Sequence, residues 1–426
     1  MSSTKRMLLL TTLDLEAAPN NSEHNRIRYY VQHGWEVTAI YKKMNRAPGL
    51  WNLVRNTLLA STRPYEADGA RRIAVDPPFN YFAGLGREAG AYSADAGSQR
   101  RSWKQRFVRL LAPLAALRDV FVTPWLCWAA WRRVDGKVDV ALGVGPWAGL
   151  AGVWLRRFGK VRRAVYVDRD FEAGLMPDRF RTSYTAAVER AAIRRSDGVV
   201  SAGRMLSERR RRETGVTTCV VGNGVDWERY AGARERTATE PELIHVGNVM
   251  PWSGVECAIE AMPAILAGNS AATLTIVGTG MPSYMEHLEG RVRALGLESS
   301  VRLLGLRPVE ELPELLAGAR LGLAHSEPVD FRRYAMPLKL LEYMAAGVPA
   351  IVTEDTEAAD AVTRYGCGVA IPYDADALAR AVLELLGDEE RCATMRANAL
   401  RHGPELDWSR VLERECRAVE GGEHEA

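Results

Sequence analysis

The stretch MPLKLLEYMAAGVPAIVT, Met336 to Thr353, combines a helix start, a charged helix face and, from Val348 to Val352, a predicted buried strand. Pro337 suits the first turn of a helix, where its missing N–H costs little. The free N–H groups of that turn and Lys339 would attract a phosphate, and Glu342 on the same face can accept hydrogen bonds from two ribose hydroxyls. The stretch is typical either of a pocket for a nucleotide or of an ordinary amphipathic helix that enters a parallel strand.

Length and composition indicate an ordinary soluble globular protein with more than one domain. The chain has 426 residues, more than one core usually supports, so we expect two domains of roughly 200 residues each. A content of 47% hydrophobic and 26% charged residues with a net charge of +3 does not favour nucleic-acid binding. The six cysteines show no metal-ligand spacing, which favours reduced thiols in a cytoplasmic protein. We expect neither a bound metal nor a cofactor.

Strand and helix patterns alternate twice along the chain, which predicts two doubly wound, Rossmann-like sheets. Asp14 and Glu16 end the first apolar run too early for a signal peptide or a membrane span, so it predicts a buried strand. The first round comprises strands at Met7 to Thr12, Glu36 to Tyr41, Val138 to Val144, Ala164 to Val167, Gly198 to Ser201 and Cys219 to Val221, and helices at His24 to His33, Ala148 to Phe158 and Ser183 to Ser196. The second round comprises strands at Leu243 to Val246, Thr273 to Val277, Val301 to Leu304 and Leu321 to Ala324, and helices at Val255 to Leu266, Ser283 to Leu295, Val309 to Leu316, Asp376 to Leu386 and about Arg391 to Arg401.

Composition shifts along the chain suggest where the domains meet. We place an N-terminal domain at residues 1–225 and a second domain at 243–400, joined by the charged, Gly- and Arg-containing linker 226–242. Residues 401–426 are predicted to form a C-terminal helix that packs back on the first domain. The stretch from about Lys42 to Arg109 is rich in Gly, Pro, Arg and aromatic residues, which predicts loops and variable elements.

Five landmarks in the second half resemble the donor-binding domain of GT-B glycosyltransferases, most closely glycosyltransferase family 4, and they occur in that family's order. They are VVGNGVDWERY (Val220 to Tyr230), IHVGNVMPWSGVECAIEAM (Ile244 to Met262), LTIVGTGM (Leu274 to Met281), VRLLGL (Val301 to Leu306) and LLEYMAAGVPAI (Leu340 to Ile351). Weaker similarity runs back through Val188 to Leu206 and Ala148 to Gly152. The resemblance implies a GT-B fold, with two Rossmann-like domains facing a central cleft. It further implies metal-independent transfer of a sugar from a nucleotide-diphosphate sugar, the co-substrate, to an acceptor hydroxyl.

Four glycines follow predicted strands of the second domain. Gly247, Gly278, Gly280 and Gly305 lie where open α/β sheets bind ligands, at the carboxyl ends of the strands. The segment from Gly247 to Gly254 leads into a helix N-terminus, which is a natural seat for a diphosphate. The alternative for each glycine is an ordinary tight turn.

Two positions depart from the family's usual basic residues. Asn248 and Ser253 stand where the family usually carries cations that contact the donor diphosphate. A neutral hydrogen-bond donor contributes about half of what a charged one does, so Lys339 would carry more of this task. These changes also leave open an alternative function, that of a non-catalytic nucleotide-sugar-binding or scaffold protein with the same fold.

A third departure concerns the sugar. The family usually carries a pair of glutamates here. In this chain Glu342 occupies the second position, whereas Tyr334 replaces the glutamate at the first. Arg332 or Arg333 then becomes a candidate for contact with an acidic sugar or a phosphate, which resembles a variant seen in xanthan-type glucuronosyltransferases. The alternative is that both arginines are solvated loop residues.

The catalytic candidates lie in VYVDRDFEAGL, Val165 to Leu175, which offers Asp168, Asp170 and Glu172 at the end of a strand. The glucuronosyltransferase-like variants imply a general base here, and Asp170 is the first choice, with Asp168 second. Both aspartates could instead be structural residues that cap the following turn. The resemblance leaves retention or inversion of the sugar's stereochemistry open.

A basic and aromatic stretch suggests a partner surface. Arg100 to Arg118 carries six basic and no acidic residues, and it continues into the apolar segment Asp119 to Arg133. Such a stretch favours peripheral contact with an anionic membrane through Arg100 to Arg133, whereas the alternative is a core helix with a solvated basic flank. A second basic run, Arg204 to Arg212, lacks interleaved aromatic residues and therefore predicts a charged surface rather than a nucleic-acid patch.

Overall fold

The computed structural model describes residues 4–17, 22–43, 64–75, 119–176 and 178–421, which form two compact units. Unit 1 comprises the described residues within Met1–Ala202, Ser207–Val221 and Arg414–Ala426. Unit 2 comprises Gly203–Leu206 and Gly222–Glu413. The linker predicted at 226–242 therefore lies inside unit 2, and the end of the chain from Arg414 onward belongs to unit 1. Residues 76–118, with most of the basic stretch predicted to meet a membrane, lie outside the described residues.

Unit 1 is built on an eight-stranded sheet. Its strands are Arg6–Thr11 (β1), Glu36–Lys42 (β2), Tyr65–Ala67 (β3), Ala70–Val75 (β4), Val138–Val144 (β5), Val161–Asp168 (β6), Gly198–Ser201 (β7) and Cys219–Val220 (β8). The order is β3-β4-β2-β1-β5-β6-β7-β8, and every neighbouring pair is parallel except β3 with β4. Because the strands proceed outward from β1 in one direction and from β5 in the other, the topological switch point lies between β1 and β5.

Helices connect these strands at the predicted places. They are Ser22–Gln32 (α1), residues 119–133 (α2), Pro146–Arg157 (α3), Arg179–Arg195 (α4) and Arg204–Thr214 (α5). Helix α3 begins with a proline in its first turn, and the Asp178 side chain caps α4 by accepting a hydrogen bond from the backbone N–H of Arg181. Within the described part of the chain, no helix is both long and apolar enough to cross a bilayer.

Unit 2 is built on a six-stranded, entirely parallel sheet. Its strands are Glu242–Val246 (β9), Thr273–Val277 (β10), Val301–Gly305 (β11), Leu321–Ala324 (β12), Ala350–Thr353 (β13) and Gly368–Ile371 (β14). The order β11-β10-β9-β12-β13-β14 is the 3-2-1-4-5-6 order of dinucleotide-binding folds. The switch point of this unit lies between β9 and β12, so a ligand is expected beyond their carboxyl ends. Both predicted doubly wound sheets are thus confirmed.

The helices of unit 2 pack on both faces of this sheet. They are Ala231–Arg234 (α6), Val255–Gly268 (α7), Pro282–Ala294 (α8), Leu312–Ala317 (α9), Asp330–Arg333 (α10), Leu338–Ala346 (α11), Glu357–Tyr365 (α12), Ala375–Gly387 (α13) and Glu389–His402 (α14), followed by Trp408–Glu420 (α15), which runs from unit 2 into unit 1. Helix α11 ends at Gly347, whose φ of 73° gives a left-handed cap, and it leads into the buried strand β13. The opening sequence motif therefore forms the predicted helix and strand, and Gly347 ends the helix between them.

All six cysteines are free thiols, as their scattered spacing predicted. Burial is the main cause that raises the pKa of every one of them. The values reach about 12 for Cys127 and Cys367.

Candidate functional site

The two glycine loops after β9 and β10 are bound to each other. The backbone N–H of Val249 donates to the carbonyl of Thr279 at 3.0 Å. A Cβ added to Gly278 would lie 1.8 Å from the carbonyl oxygen of Gly247, and one added to Gly280 would lie 1.8 Å from that of Val249. The second and third predicted glycines are therefore needed for the approach of one loop to the other. The sequence analysis instead predicted these glycines as positions where the backbone approaches a ligand.

Gly247 differs from Gly278 and Gly280, because its Cα faces the Lys339 side chain rather than the other loop. Its φ of 114° is unfavourable for other residues, and a Cβ there would lie 3.5 Å from the Lys339 Cε. The Lys339 Nζ lies 2.9 Å from the Nε2 of His245. Burial lowers the pKa of Lys339 to about 7, with a further lowering by the positive charge of Arg332 and an opposing effect of Glu342. The structure thus brings the predicted lysine and the first glycine together at the switch point.

His245 is a member of this site that the sequence reasoning missed. It lies on β9, two residues before Gly247, with 1% of its surface exposed. Burial holds its pKa well below the ordinary value, and Lys339 lowers it further, so the imidazole is neutral. A lone histidine in an apolar strand is ordinarily a core residue, and only its position just before the glycine loop could have signalled a role.

Glu342 lies one turn along α11 from Lys339 and is half-buried. Burial raises the pKa of its carboxyl, while Lys339, Arg229 and the hydroxyl of Tyr230 act in the opposite direction. Tyr230 is fully buried and ends the VVGNGVDWERY landmark, so that landmark reaches the predicted ribose anchor. Glu342 therefore lies close to the cations of Lys339 and Arg229 and to the buried Tyr230.

The two neutral replacements occupy different surroundings. Asn248 is exposed at the tip of the first loop. Ser253 is buried, and its Oγ accepts a hydrogen bond from the backbone N–H of Met250 at 3.2 Å. Gly254 follows with a φ of 83° and begins α7. Ser253 thus fixes the turn before the helix, while the side chain of Asn248 is accessible to a ligand.

The segment between β12 and α11 brings further cations to the switch point. Its helix, Asp330–Arg333, packs against the first glycine loop through an edge-to-face contact of Phe331 with Trp252, with ring centroids 5.6 Å apart. Both arginines of this helix are half-buried, and Arg332 is near enough to lower the pKa of Lys339. Tyr334 ends the helix, is half-buried and donates its backbone N–H to the carbonyl of Arg332. Arg332 is therefore a second cation beside Lys339. It lies in a domain where Asn248 and Ser253 replace the two basic residues that the family usually carries.

Asp168, at the end of β6, is completely buried in unit 1. Its carboxylate accepts two hydrogen bonds from Arg210, from Nε at 2.7 Å and from Nη2 at 3.0 Å. Arg210 is buried as well, and its Nη1 lies 3.0 Å from the Oε2 of Glu189. This network favours a structural role for Asp168, through an ion pair rather than the turn cap considered from the sequence.

A second group of charges lies at the switch point of unit 1. Arg169 pairs with Asp170 at 3.0 Å and with the buried Glu23, in the first turn of α1, at 2.7 Å. The Oε1 of Glu172 lies only 2.7 Å from where a Cβ on Gly145 would be, at the start of α3. Burial raises the pKa of Glu172 to about 7; Arg169 opposes this effect and Asp170 adds to it. We call Glu23, Arg169, Asp170 and Glu172 the carboxylate cluster.

The second unit matches a known protein family. Residues 240–388 match the family described as Glycosyl transferases group 1. An exopolysaccharide phosphotransferase of Streptomyces coelicolor is 34% identical over 161 residues, which are 37% of this chain and 16% of the relative. A GDP-mannose-dependent monoacylated alpha-(1-6)-phosphatidylinositol monomannoside mannosyltransferase of Corynebacterium glutamicum is 29% identical over 202 residues, 44% of this chain and 51% of the relative. The chain thus spans about half or less of the length of these two curated relatives.

Solved structures extend the likeness to both units. The crystal structure of Anabaena HepE in complex with UDP matches with a TM-score of 0.64 at 18% sequence identity, covering 97% of this chain and 99% of that one. At this identity the match establishes the fold. The fold is of the GT-B type, as the sequence resemblance implied, and the second unit carries a glycosyl transferases group 1 domain.

Proposed function

We propose that the protein transfers a sugar from a nucleoside-diphosphate sugar to a hydroxyl of an acceptor, without a metal ion. The observation that carries this proposal is the meeting of Lys339 and Arg332 at the Gly247 loop, at the switch point of a group 1 domain. Buried or half-buried cations beside a glycine loop suit an anionic ligand. The names of the relatives support a nucleotide-linked donor, since one is GDP-mannose-dependent and HepE was solved with UDP.

The donor diphosphate lies, in this proposal, between Lys339, Arg332 and the backbone of the first glycine loop. Asn248 adds a neutral donor from the loop tip, and Glu342 accepts hydrogen bonds from the ribose. When the bond between the sugar and the diphosphate breaks, its electron pair leaves with the diphosphate, and the two cations stabilise the added charge. Tyr334 is left to contact the sugar, where the family usually has a glutamate.

The acceptor hydroxyl needs a proton acceptor as its oxygen bonds to the sugar. Asp170, the choice from the sequence, is half-exposed in the carboxylate cluster and shares Arg169 with Glu23. Glu172 is a second candidate, because it lies at the unit 1 switch point and burial raises its pKa to about 7. Asp168 is not available for this step while Arg210 occupies both of its oxygens.

We further propose that the acceptor side meets a membrane surface. Exposed aromatic side chains lie on α2, Trp128 at 42% and Trp131 at 50%, and directly after the neighbouring α3, Phe158 at 64%. Arg132 lies over the ring of Trp128, and Lys160 over that of Trp131. Aromatic groups flanked by cations suit the interface of an anionic bilayer, and the basic stretch Arg100 to Arg118 directly precedes α2.

A panel of nucleoside diphosphates and their sugars, measured by thermal shift, tests the donor assignment. A ligand at a hundred times its dissociation constant stabilises the folded state by about 2.7 kcal/mol. Transfer is then assayed by release of the nucleoside diphosphate, with EDTA present to test the absence of a metal. Stabilisation without turnover on any acceptor would favour the scaffold alternative, and no stabilisation by any nucleotide would exclude both.

A further inference from the structure

We propose that His245 is a positioning residue that holds the Lys339 ammonium in place for the donor diphosphate while leaving its charge uncancelled. This inference rests on the proposed function, which gives the diphosphate to Lys339. The geometry that points to it is the contact of 2.9 Å between the Lys339 Nζ and the His245 Nε2.

The lysine is confined on two sides. Its Cε packs over Gly247, where a Cβ would lie 3.5 Å away, and its Nζ is held by an imidazole that is 1% exposed. Both contacts come from the end of β9, a rigid central strand at the switch point. A flexible lysine side chain therefore has one favoured orientation before any ligand arrives, which lowers the entropy lost on binding.

The chemistry of the imidazole explains why a histidine suits this position. A neutral ring can accept a hydrogen bond from the ammonium at Nε2 while its other nitrogen carries the ring's one proton. A carboxylate here would also orient Lys339, but it would cancel the charge that the diphosphate needs. Among the described residues, no carboxylate lies within ion-pair distance of the Lys339 Nζ.

The charges that face this pair are few. Arg332 acts on both Lys339 and His245, and Glu342 acts on Lys339 in the opposite direction. Burial and Arg332 prevail, so near pH 7 Lys339 is only partly protonated in the free protein, and its protonation increases when an anion binds. Since the protonated lysine binds the diphosphate, donor affinity is highest below pH 7 and falls as the pH rises through about 7.

Three variants at this position separate orientation from charge. His245→Leu removes the acceptor, His245→Gln keeps an acceptor near the Nε2 position, and His245→Glu adds a carboxylate. Dissociation constants for UDP-glucose and GDP-mannose are measured by calorimetry from pH 6 to pH 8.5, with kcat and KM where transfer is found. Nucleotide sugars are chosen because, unlike free nucleotides, they carry no terminal phosphate that titrates near pH 6. His287→Gln, a surface histidine of the same unit paired with Glu256, is the matched control.

We expect His245→Leu to bind the donor about tenfold more weakly and His245→Gln to recover most of that loss, with KM changed more than kcat. We expect His245→Glu to bind weakly at every pH, because its carboxylate keeps Lys339 protonated and neutralised. Donor binding by His245→Leu with the affinity and pH profile of the unchanged protein overturns the inference, as does a His245→Glu variant that binds more tightly. If the unchanged protein binds neither these donors nor any other nucleotide of the thermal-shift panel, the proposed function fails instead.

Discussion

The buried network around Arg210 gives the most direct test of how Asp168 is used. We consider Arg210→Met, which keeps much of the side chain's volume and removes its charge. Arg210 is 0% exposed, and it neutralises Asp168 and Glu189, which are 0% and 1% exposed. The substitution leaves two buried carboxylates without their cation.

Removing one partner of a buried ion pair costs roughly 3–5 kcal/mol, and two stranded carboxylates place this case at the upper end. For a unit of about 200 residues, each kcal/mol shifts Tm by about 2–4 °C, so we expect Tm to fall by roughly 10–20 °C. The loss is measured by urea unfolding followed by circular dichroism, with calorimetry for Tm. It should shrink as the pH falls from 7 to 5, because without Arg210 burial raises the pKa of both carboxyls, and protonation then removes the penalty.

The triple variant Arg210→Met, Asp168→Asn, Glu189→Gln is the matched control, since it removes all three charges and should regain much of the stability. A single Arg210→Met variant within about 1 kcal/mol of the unchanged protein would refute the reasoning. Such a result would mean that the buried Asp168 and Glu189 carboxylates do not need the charge of Arg210. Asp168 would then be a catalytic candidate again.

The remaining predictions concern the proposed activity. Asp170→Asn should lower turnover by at least about a hundredfold with little loss of donor affinity. If this variant instead turns over at a near-normal rate while Glu172→Gln is inactive, Glu172 is the general base. If Glu172 is the base, activity should fall as the pH drops below about 7, since protonation disables it. Lys339→Met should weaken nucleotide-sugar binding by roughly 10- to 100-fold in calorimetry, and an unchanged constant would contradict the donor site. Replacing Trp128 and Trp131 by Ser should reduce flotation with vesicles containing anionic phosphatidylglycerol while leaving transfer to a water-soluble acceptor intact; equal flotation would argue against the membrane surface.

The fold was predictable because hydrophobic patterns are local. Each strand of the two parallel sheets is a short buried run between turn residues, and the order of the runs specifies a doubly wound topology. The β3–β4 hairpin was missed inside a stretch interpreted as irregular, although its Asp68-Gly69 turn is a strong hairpin signal. The helix predicted at Val309 to Leu316 is divided into a 3-10 turn, Val309–Glu311, and α9.

The site was predictable only where topology determines it. Gly247 and Lys339 meet because each follows the carboxyl end of a strand at the switch point. The pairing of Asp168 with Arg210 joins residues 42 positions apart, and a run of four arginines does not reveal which one turns inward. His245 has no polar neighbours in sequence that would distinguish it from a core histidine. Long-range electrostatic partners therefore required the structure.

The six free cysteines, three of them buried and three partly exposed, have a practical consequence for labelling. Only the thiolate reacts readily with maleimides, and pKa values of about 11 for Cys257 and Cys416 leave roughly one thiol in ten thousand ionised at pH 7. The higher values of Cys127 and Cys367 make those thiols slower still. A cysteine introduced at an exposed position, such as Asn248, should therefore take up a fluorophore selectively in the otherwise unaltered chain. Donor arrival at the glycine loop could then be followed by fluorescence without first deleting the native thiols.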